Sequence, residues 1–105
     1  MILKMKTHIT IHQIKQILLD KLPGFEQKTV HLYGVPRGGV PVAIIAAQIY
    51  ESRGHWVSFV NDPHRADIIL DDIIDSGRTK LRILDQCHPN QPYFIAPVDK
   101  TDPEN

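Results

Sequence analysis

Ile68-Ile69-Leu70-Asp71-Asp72-Ile73-Ile74-Asp75-Ser76-Gly77-Arg78-Thr79 passes from an apolar run to two adjacent carboxylates, then to a glycine turn flanked by hydroxyls. A short apolar run bounded by polar residues predicts a strand buried on both faces, as in a parallel sheet. Paired carboxylates at the end of such a strand are costly unless a cation or a hydroxyl-rich ligand compensates them. Four residues on, Asp75 to Thr79 lead into a helix. Gly77 lets backbone approach a ligand, Ser76 and Thr79 supply hydroxyls, and a helix start turns free N–H groups outward. The stretch predicts an anion cradle beside an acidic pair, suited to a sugar phosphate with a divalent metal.

Working outward, Val35-Pro36-Arg37-Gly38-Gly39-Val40-Pro41 is a second glycine turn. Arg37 carries a fork of donors, and Gly38 and Gly39 free their amides for close contact with phosphate oxygens. A strand over residues 30–35 precedes it, with Val30, Leu32 and Gly34 on one face, and a helix from Pro41 to about Ser52 follows, stopped by Gly54. Thr10 is a candidate cap for a first helix reaching about Leu22, with Ile14, Ile17, Leu18 and Leu22 on one stripe, ended by Pro23-Gly24. Further strands are expected over residues 56–60, 66–70 and 92–98, a third helix from near Thr79 to before Pro89, and a polar tail from Asp99. This order predicts one α/β domain over residues 1–105: a single open, mostly parallel sheet of about four strands flanked by helices. Residues 1–28 form the N-terminal helical part and residues 29–100 the core. Ligands of such sheets sit beyond the C-terminal strand ends, where strand order reverses. If the first and third strands are neighbours, both glycine turns meet in one crevice.

Composition narrows the field. The 105 residues include twelve Lys and Arg against twelve Asp and Glu, for a net charge of zero. No basic field exists to hold nucleic acid, so no nucleic-acid partner is expected, and any phosphate must be gripped locally. One cysteine, Cys87, excludes an intramolecular disulfide and suits a reducing, cytoplasmic compartment. It reads as a buried thiol, not a nucleophile. No apolar run approaches the roughly 18 residues of a membrane span, and no leader or membrane partner is expected. His8 and His12 are four apart but lack a carboxylate partner, so a zinc site is not favoured. Tyr50, Trp56 and Phe59 are candidates for an exposed aromatic surface, and with the small size they motivate a homodimer.

The two loops together resemble the type I phosphoribosyltransferases. That family carries an apolar strand, two acidic residues, two apolar residues and then an acid or Thr, a hydroxyl, Gly, any residue and Thr, as Ile68 to Thr79 do here. Its pyrophosphate turn matches Val35 to Gly39, and the acidic stretch is most similar to the 6-oxopurine branch, which salvages hypoxanthine, guanine or xanthine. The resemblance implies a Mg²⁺-dependent enzyme moving a 5-phosphoribosyl group from phosphoribosyl pyrophosphate to a purine-type nucleobase. It assigns ribose hydroxyls and metal, partly through water, to Asp71 and Asp72. The 5′-phosphate falls to Asp75, Ser76, Gly77, Arg78 and Thr79, and the pyrophosphate to Arg37, Gly38 and Gly39. Asp75 becomes the catalytic carboxylate at the base, and Lys100 the base-binding lysine. It also implies a strained or cis peptide before Arg37. Two departures stand out. The family's long mobile loop is replaced by Asn61 to Arg65, which span at most roughly 18 Å. Few residues follow Val98, so no full hood is expected, and the first helix is the candidate for a small one. The alternatives are a phosphoribosyl pyrophosphate or nucleotide-binding module without turnover, and a fragment completed by a second polypeptide.

Overall fold

A computed structural model describes residues 9–102. The elements are α1 (Ile11–Lys21), β1 (Thr29–Gly34), α2 (Gly39–Ser52), β2 (Trp56–Phe59), a 3₁₀ turn (Pro63–Arg65), β3 (Ile68–Leu70), β4 (Ile73–Ile74), α3 (Arg78–Cys87), β5 (Tyr93–Ile95) and β6 (Val98–Asp99). His8 of the His8 and His12 pair and residues 103–105 of the tail lie outside the described residues.

Local chemistry sets most of the boundaries. Thr10 caps α1 through a reciprocal box: its Oγ1 accepts from the Gln13 amide, and the Gln13 side chain accepts from the Thr10 amide. Leu22 ends the helix in an extended conformation ahead of Pro23, which disfavours helical backbone before it. α2 begins at Gly39, two residues ahead of the expected Pro41. Pro41 is accommodated because first-turn amides need no helical acceptor. After α2, Gly54 turns the chain at φ 91°. The strand expected over residues 92–98 is two strands, β5 and β6, with Ala96 and Pro97 between them. Pro97 has no N–H to continue a ladder. β3 is shorter than the expected residues 66–70, and Asp99, expected to open the polar tail, belongs to β6.

The main sheet has the order β2-β1-β3-β5, every pair parallel, so the first and third strands are neighbours. Val30, Leu32, Ile68 and Leu70 face α1 and α2, whose Ile14, Leu18, Val42, Ala46 and Ile49 are buried against them. Ile69 faces the other way, toward Ala66 and toward Ile83 and Cys87 of α3. Each fully buried aliphatic side chain contributes about 1.5–3 kcal/mol, so both faces of the sheet are held. α1 is seated on this core by its buried stripe. Tyr50, expected at the surface, is fully buried, and its hydroxyl donates to the Pro23 carbonyl at 2.6 Å. Trp56 and Phe59 are exposed. Among the described residues no helix is long and apolar enough to cross a membrane.

The link from β2 to β3 is short because of register. Phe59 and Ile68 both lie level with Leu32 of β1, one on each side. β2 therefore ends at the height where β3 starts. The intervening residues cross β1 on the α3 face, with Val60 and Ala66 in the core there. Two strand spacings, roughly 10 Å, is all they must span.

Candidate functional site

The C-terminal ends of β1 and β3 lie side by side, and both glycine turns leave from them. The Val35 amide donates to the Leu70 carbonyl at 2.8 Å, extending the ladder one step past β1. The chain then folds back: Gly39 N–H donates to Val35 O at 2.8 Å and Val40 N–H to Arg37 O at 3.1 Å. The peptide between Pro36 and Arg37 is cis. A Cβ on Gly39 would lie 2.3 Å from the Leu70 carbonyl oxygen, and one on Gly38 would lie 2.2 Å from Asp72 Oδ2. The two glycines are thus the residues that let the first turn touch the acidic pair. Arg37 stands exposed at the crest, its side chain making no hydrogen bond or ion pair among the described residues.

Asp71 is the one buried charged side chain among the described residues. Its amide donates to Ile95 O at 3.1 Å, and its Oδ1 accepts from the Asp72 amide at 2.8 Å. Burial pushes its carboxyl up to about 6, and the hydrogen-bonding Asp72 carboxylate adds to the rise. Asp72 Oδ1 in turn accepts from the Ile73 amide at 2.9 Å. Among the described residues no ion pair reaches either carboxylate, and hard oxygen donors of this kind suit Mg²⁺, which binds through one or two carboxylates plus substrate phosphates. Asp71 and Asp72 therefore fit that ion, although no group of three potential metal-ligating side chains converges among the described residues.

Asp72 to Lys80 line a concavity of about 240 Å³. At its floor Gly77 holds φ 85°, a conformation that disfavours any side chain. The first regular bond of α3 runs from Leu81 N–H to Gly77 O, so the amides of Thr79 and Lys80 stand outside the helical ladder, at the positive end of its dipole. Ser76 Oγ accepts from the Arg78 amide at 3.4 Å. The small β4–β6 ladder then brings Lys100 in. Its amide donates to Ile74 O at 2.8 Å, and its Nζ stands 3.9 Å from Asp75 Oδ1, both side chains about half exposed.

The site residues read from the sequence are thus linked by successive contacts: Gly38 and Gly39 lie against Asp72 and Asp71, Asp72 to Thr79 line the concavity, and Lys100 reaches Asp75, with Arg37 exposed in the first turn. Sequence reasoning missed Thr101, whose Cγ2 would lie 3.8 Å from a Cβ on Gly77. It also missed an apolar cavity of about 440 Å³ behind the first turn, lined by Tyr33, Pro36, Val40, Ile44, Phe59 and Asn61 among others. Val40 and Ile44, four apart on a helix whose other faces are apolar too, were the available signal. Comparison with known family models, curated proteins and solved structures finds no match to this chain. What the geometry defines is a parallel α/β domain with a two-loop polar site at the carboxyl ends of adjacent strands.

Proposed function

We propose that the chain is a Mg²⁺-dependent phosphoribosyltransferase, moving the 5-phosphoribosyl group of phosphoribosyl pyrophosphate to a purine-type base and releasing pyrophosphate. The observation that carries this reading is the contact of Gly38 and Gly39 with Asp72 and the β3 end. It sets amides and an arginine suited to pyrophosphate beside carboxylates suited to ribose hydroxyls, next to a phosphate-sized cradle.

In this reading Asp75 to Thr79 hold the 5′-phosphate through hydroxyls and first-turn amides, and Asp71 and Asp72 fix the ribose. Arg37, Gly38 and Gly39 bind the pyrophosphate. The bond from ribose C1 to pyrophosphate oxygen breaks as a bond from base nitrogen to C1 forms, and the base gives up a proton. Asp75 is assigned to accept or stabilise that proton, and Lys100, whose Nζ lies 3.9 Å from Asp75 Oδ1, to orient the base. Bound Mg²⁺ would supply charge compensation on the departing pyrophosphate. Positioning and charge supply the rest, since the transition state is close to an oxocarbenium ion.

A second reading, a phosphoribosyl pyrophosphate-binding module without turnover, is favoured by one observation: the link from β2 to β3 is packed across the α3 face. Calorimetry with phosphoribosyl pyrophosphate and Mg²⁺, followed by an assay of pyrophosphate release with hypoxanthine, guanine and xanthine, tests both. Binding with release supports the enzyme, and binding without release selects the module. Absence of binding sinks both.

A further inference from the structure

β2 closes one side of the sheet, and among the described residues no strand pairs with its outer edge. Its Trp56 amide donates to Lys28 O, and the Val60 amide to Leu32 O, both toward β1. Backbone groups alternate sides along a strand, so the amides and carbonyls of Val57 and Phe59 face away from the sheet. Side chains alternate as well. Val57 packs in the α2-side core and Phe59 lines the apolar cavity with Ile44, while Trp56, Ser58 and Val60 face the α3 side. Trp56 is 75% exposed and Phe59 56%. Edge strands are ordinarily guarded by charge, proline or a bulge, yet residues 54–61 contain no Lys, Arg, Asp, Glu or Pro.

We propose that two copies of the chain pair through β2, antiparallel, with Ser58 on the twofold axis, joining the two four-stranded sheets into one. The register follows from the outward groups. Residues that exchange both bonds of an antiparallel ladder must each face the partner, which here means Val57 and Phe59. Setting Val57 of one copy against Phe59 of the other uses both, twice over. Centring on Val57 would place Phe59 against His55, whose amide is already bonded to Tyr50 O, and centring on Phe59 would push Val57 past the strand end to Asn61. The same register partners the exposed aromatics. Phe59 lies beside Val57 of the second copy, continuous with half-exposed Val40 and Ile44, and Trp56 lies opposite Val60. A twofold axis sets each charge near its own copy, and the uncharged strip avoids that repulsion. A second copy is therefore the occupant whose donors, acceptors and apolar groups match this edge. The inference is independent of the ligand reading.

The test combines mass and register. Light scattering of the full chain at micromolar concentration should give twice the 12.0 kDa chain mass. Phe59→Lys changes a side chain already exposed, so the fold should persist by circular dichroism while the dimer dissociation constant rises by about tenfold or more. Ser58→Cys should cross-link on mild oxidation, because directly opposed residues that do not exchange hydrogen bonds have Cα atoms about 4.5 Å apart, within disulfide range. Cys87 is buried, so the unmodified chain should not cross-link, and peptide mapping should place the bridge at position 58. A 12.0 kDa species throughout the micromolar range overturns the proposal. So does a dimer that is indifferent to Phe59→Lys, or one in which Ser58→Cys fails to cross-link.

Discussion

Asp71 is held against its own preference. Its ordinary pKa of 3.8 rises to about 6 in the fold, through burial first and the Asp72 carboxylate second. The folded chain therefore binds this proton more tightly than the unfolded chain does. The carboxyl's contribution to stability is complete below about pH 4 and is lost as pH rises through 6. Asp71→Asn keeps an oxygen for the Asp72 amide but has no charge to bury. In metal-free buffer the variant should be more stable than the native chain above pH 6, by on the order of 2–3 kcal/mol, with the gap closing toward pH 4. Urea unfolding across that range checks it, and a gap that does not change with pH would refute it. The same variant should lose phosphoribosyl pyrophosphate affinity, because the carboxylate that burdens the fold is the one a ribose or cation would use. Arg37 makes the opposite case, an exposed side chain with no partner among the described residues. Arg37→Ala should leave stability nearly unchanged. It should weaken phosphoribosyl pyrophosphate binding about ten- to hundredfold, the worth of a charge-assisted phosphate contact of about 1.5–3 kcal/mol. Binding of a purine nucleoside monophosphate should be spared, and equal calorimetric losses for both ligands would assign Arg37 another role.

At the level of elements, the two glycines of the β1–α2 turn separate architecture from ligand binding. A Cβ at position 39 would meet backbone, the Leu70 carbonyl oxygen at 2.3 Å and Asp71 Cα at 3.0 Å. A Cβ at position 38 would meet the Asp72 side chain, which can swing aside. Gly39→Ala should therefore push α2 off β3 and cost about 1–3 kcal/mol or more, whereas Gly38→Ala should cost less and act mainly by displacing the Asp72 carboxylate. Thermal unfolding ranks stability and calorimetry ranks affinity, and the expected order reverses between them only if Gly38 serves the ligand. The sequence announced a glycine turn here but not this division of labour. Spacing along the chain shows that a turn is tight, and the neighbouring strand decides which glycine it is tight against. Residues 68–79 were legible because buried strand, acids and helix start follow one another without a gap. The meeting of Lys100 with Asp75 was not, since it depends on the two-residue strands β4 and β6, too short for any periodicity to register. The division of residues 92–98 could have been read from Pro97, which removes a ladder donor wherever it falls.

For the whole molecule, the parallel α/β plan followed from the order of elements, because a buried parallel sheet leaves few ways to connect them. The adjacency of β1 and β3 was only a condition there and comes from the observed strand order. The path between β2 and β3 did not follow either, because it depends on strand heights: Phe59 and Ile68 sit level across Leu32. The link is anchored along its length by hydrogen bonds and by packing on α3. Val60 donates to Leu32 O at 2.9 Å, Asp67 to His31 O at 2.8 Å, and Asn90 Nδ2 to His64 O at 3.0 Å, with Ala66 buried against α3. To close over the site it would have to surrender those bonds and uncover part of the α3-side core. Binding should therefore order the walls of the site and leave this link as it is. With Mg²⁺ and saturating phosphoribosyl pyrophosphate, hydrogen exchange should slow for amides in residues 35–40 and 71–81. Amides of residues 62–66, on and beside the 3₁₀ turn and away from the ligand, should exchange at their ligand-free rate. A ligand present at about 100 times its dissociation constant stabilises the bound form by about 2.7 kcal/mol, enough to slow site amides roughly hundredfold and to make the contrast plain. Slowing in residues 62–66 equal to that in the cradle would mean that the link leaves the α3 face on binding. An unprotected link with a protected cradle would show that, among the described residues, the segment between β2 and β3 does not cover the bound ligand, and the proposed transfer would then have to proceed without it.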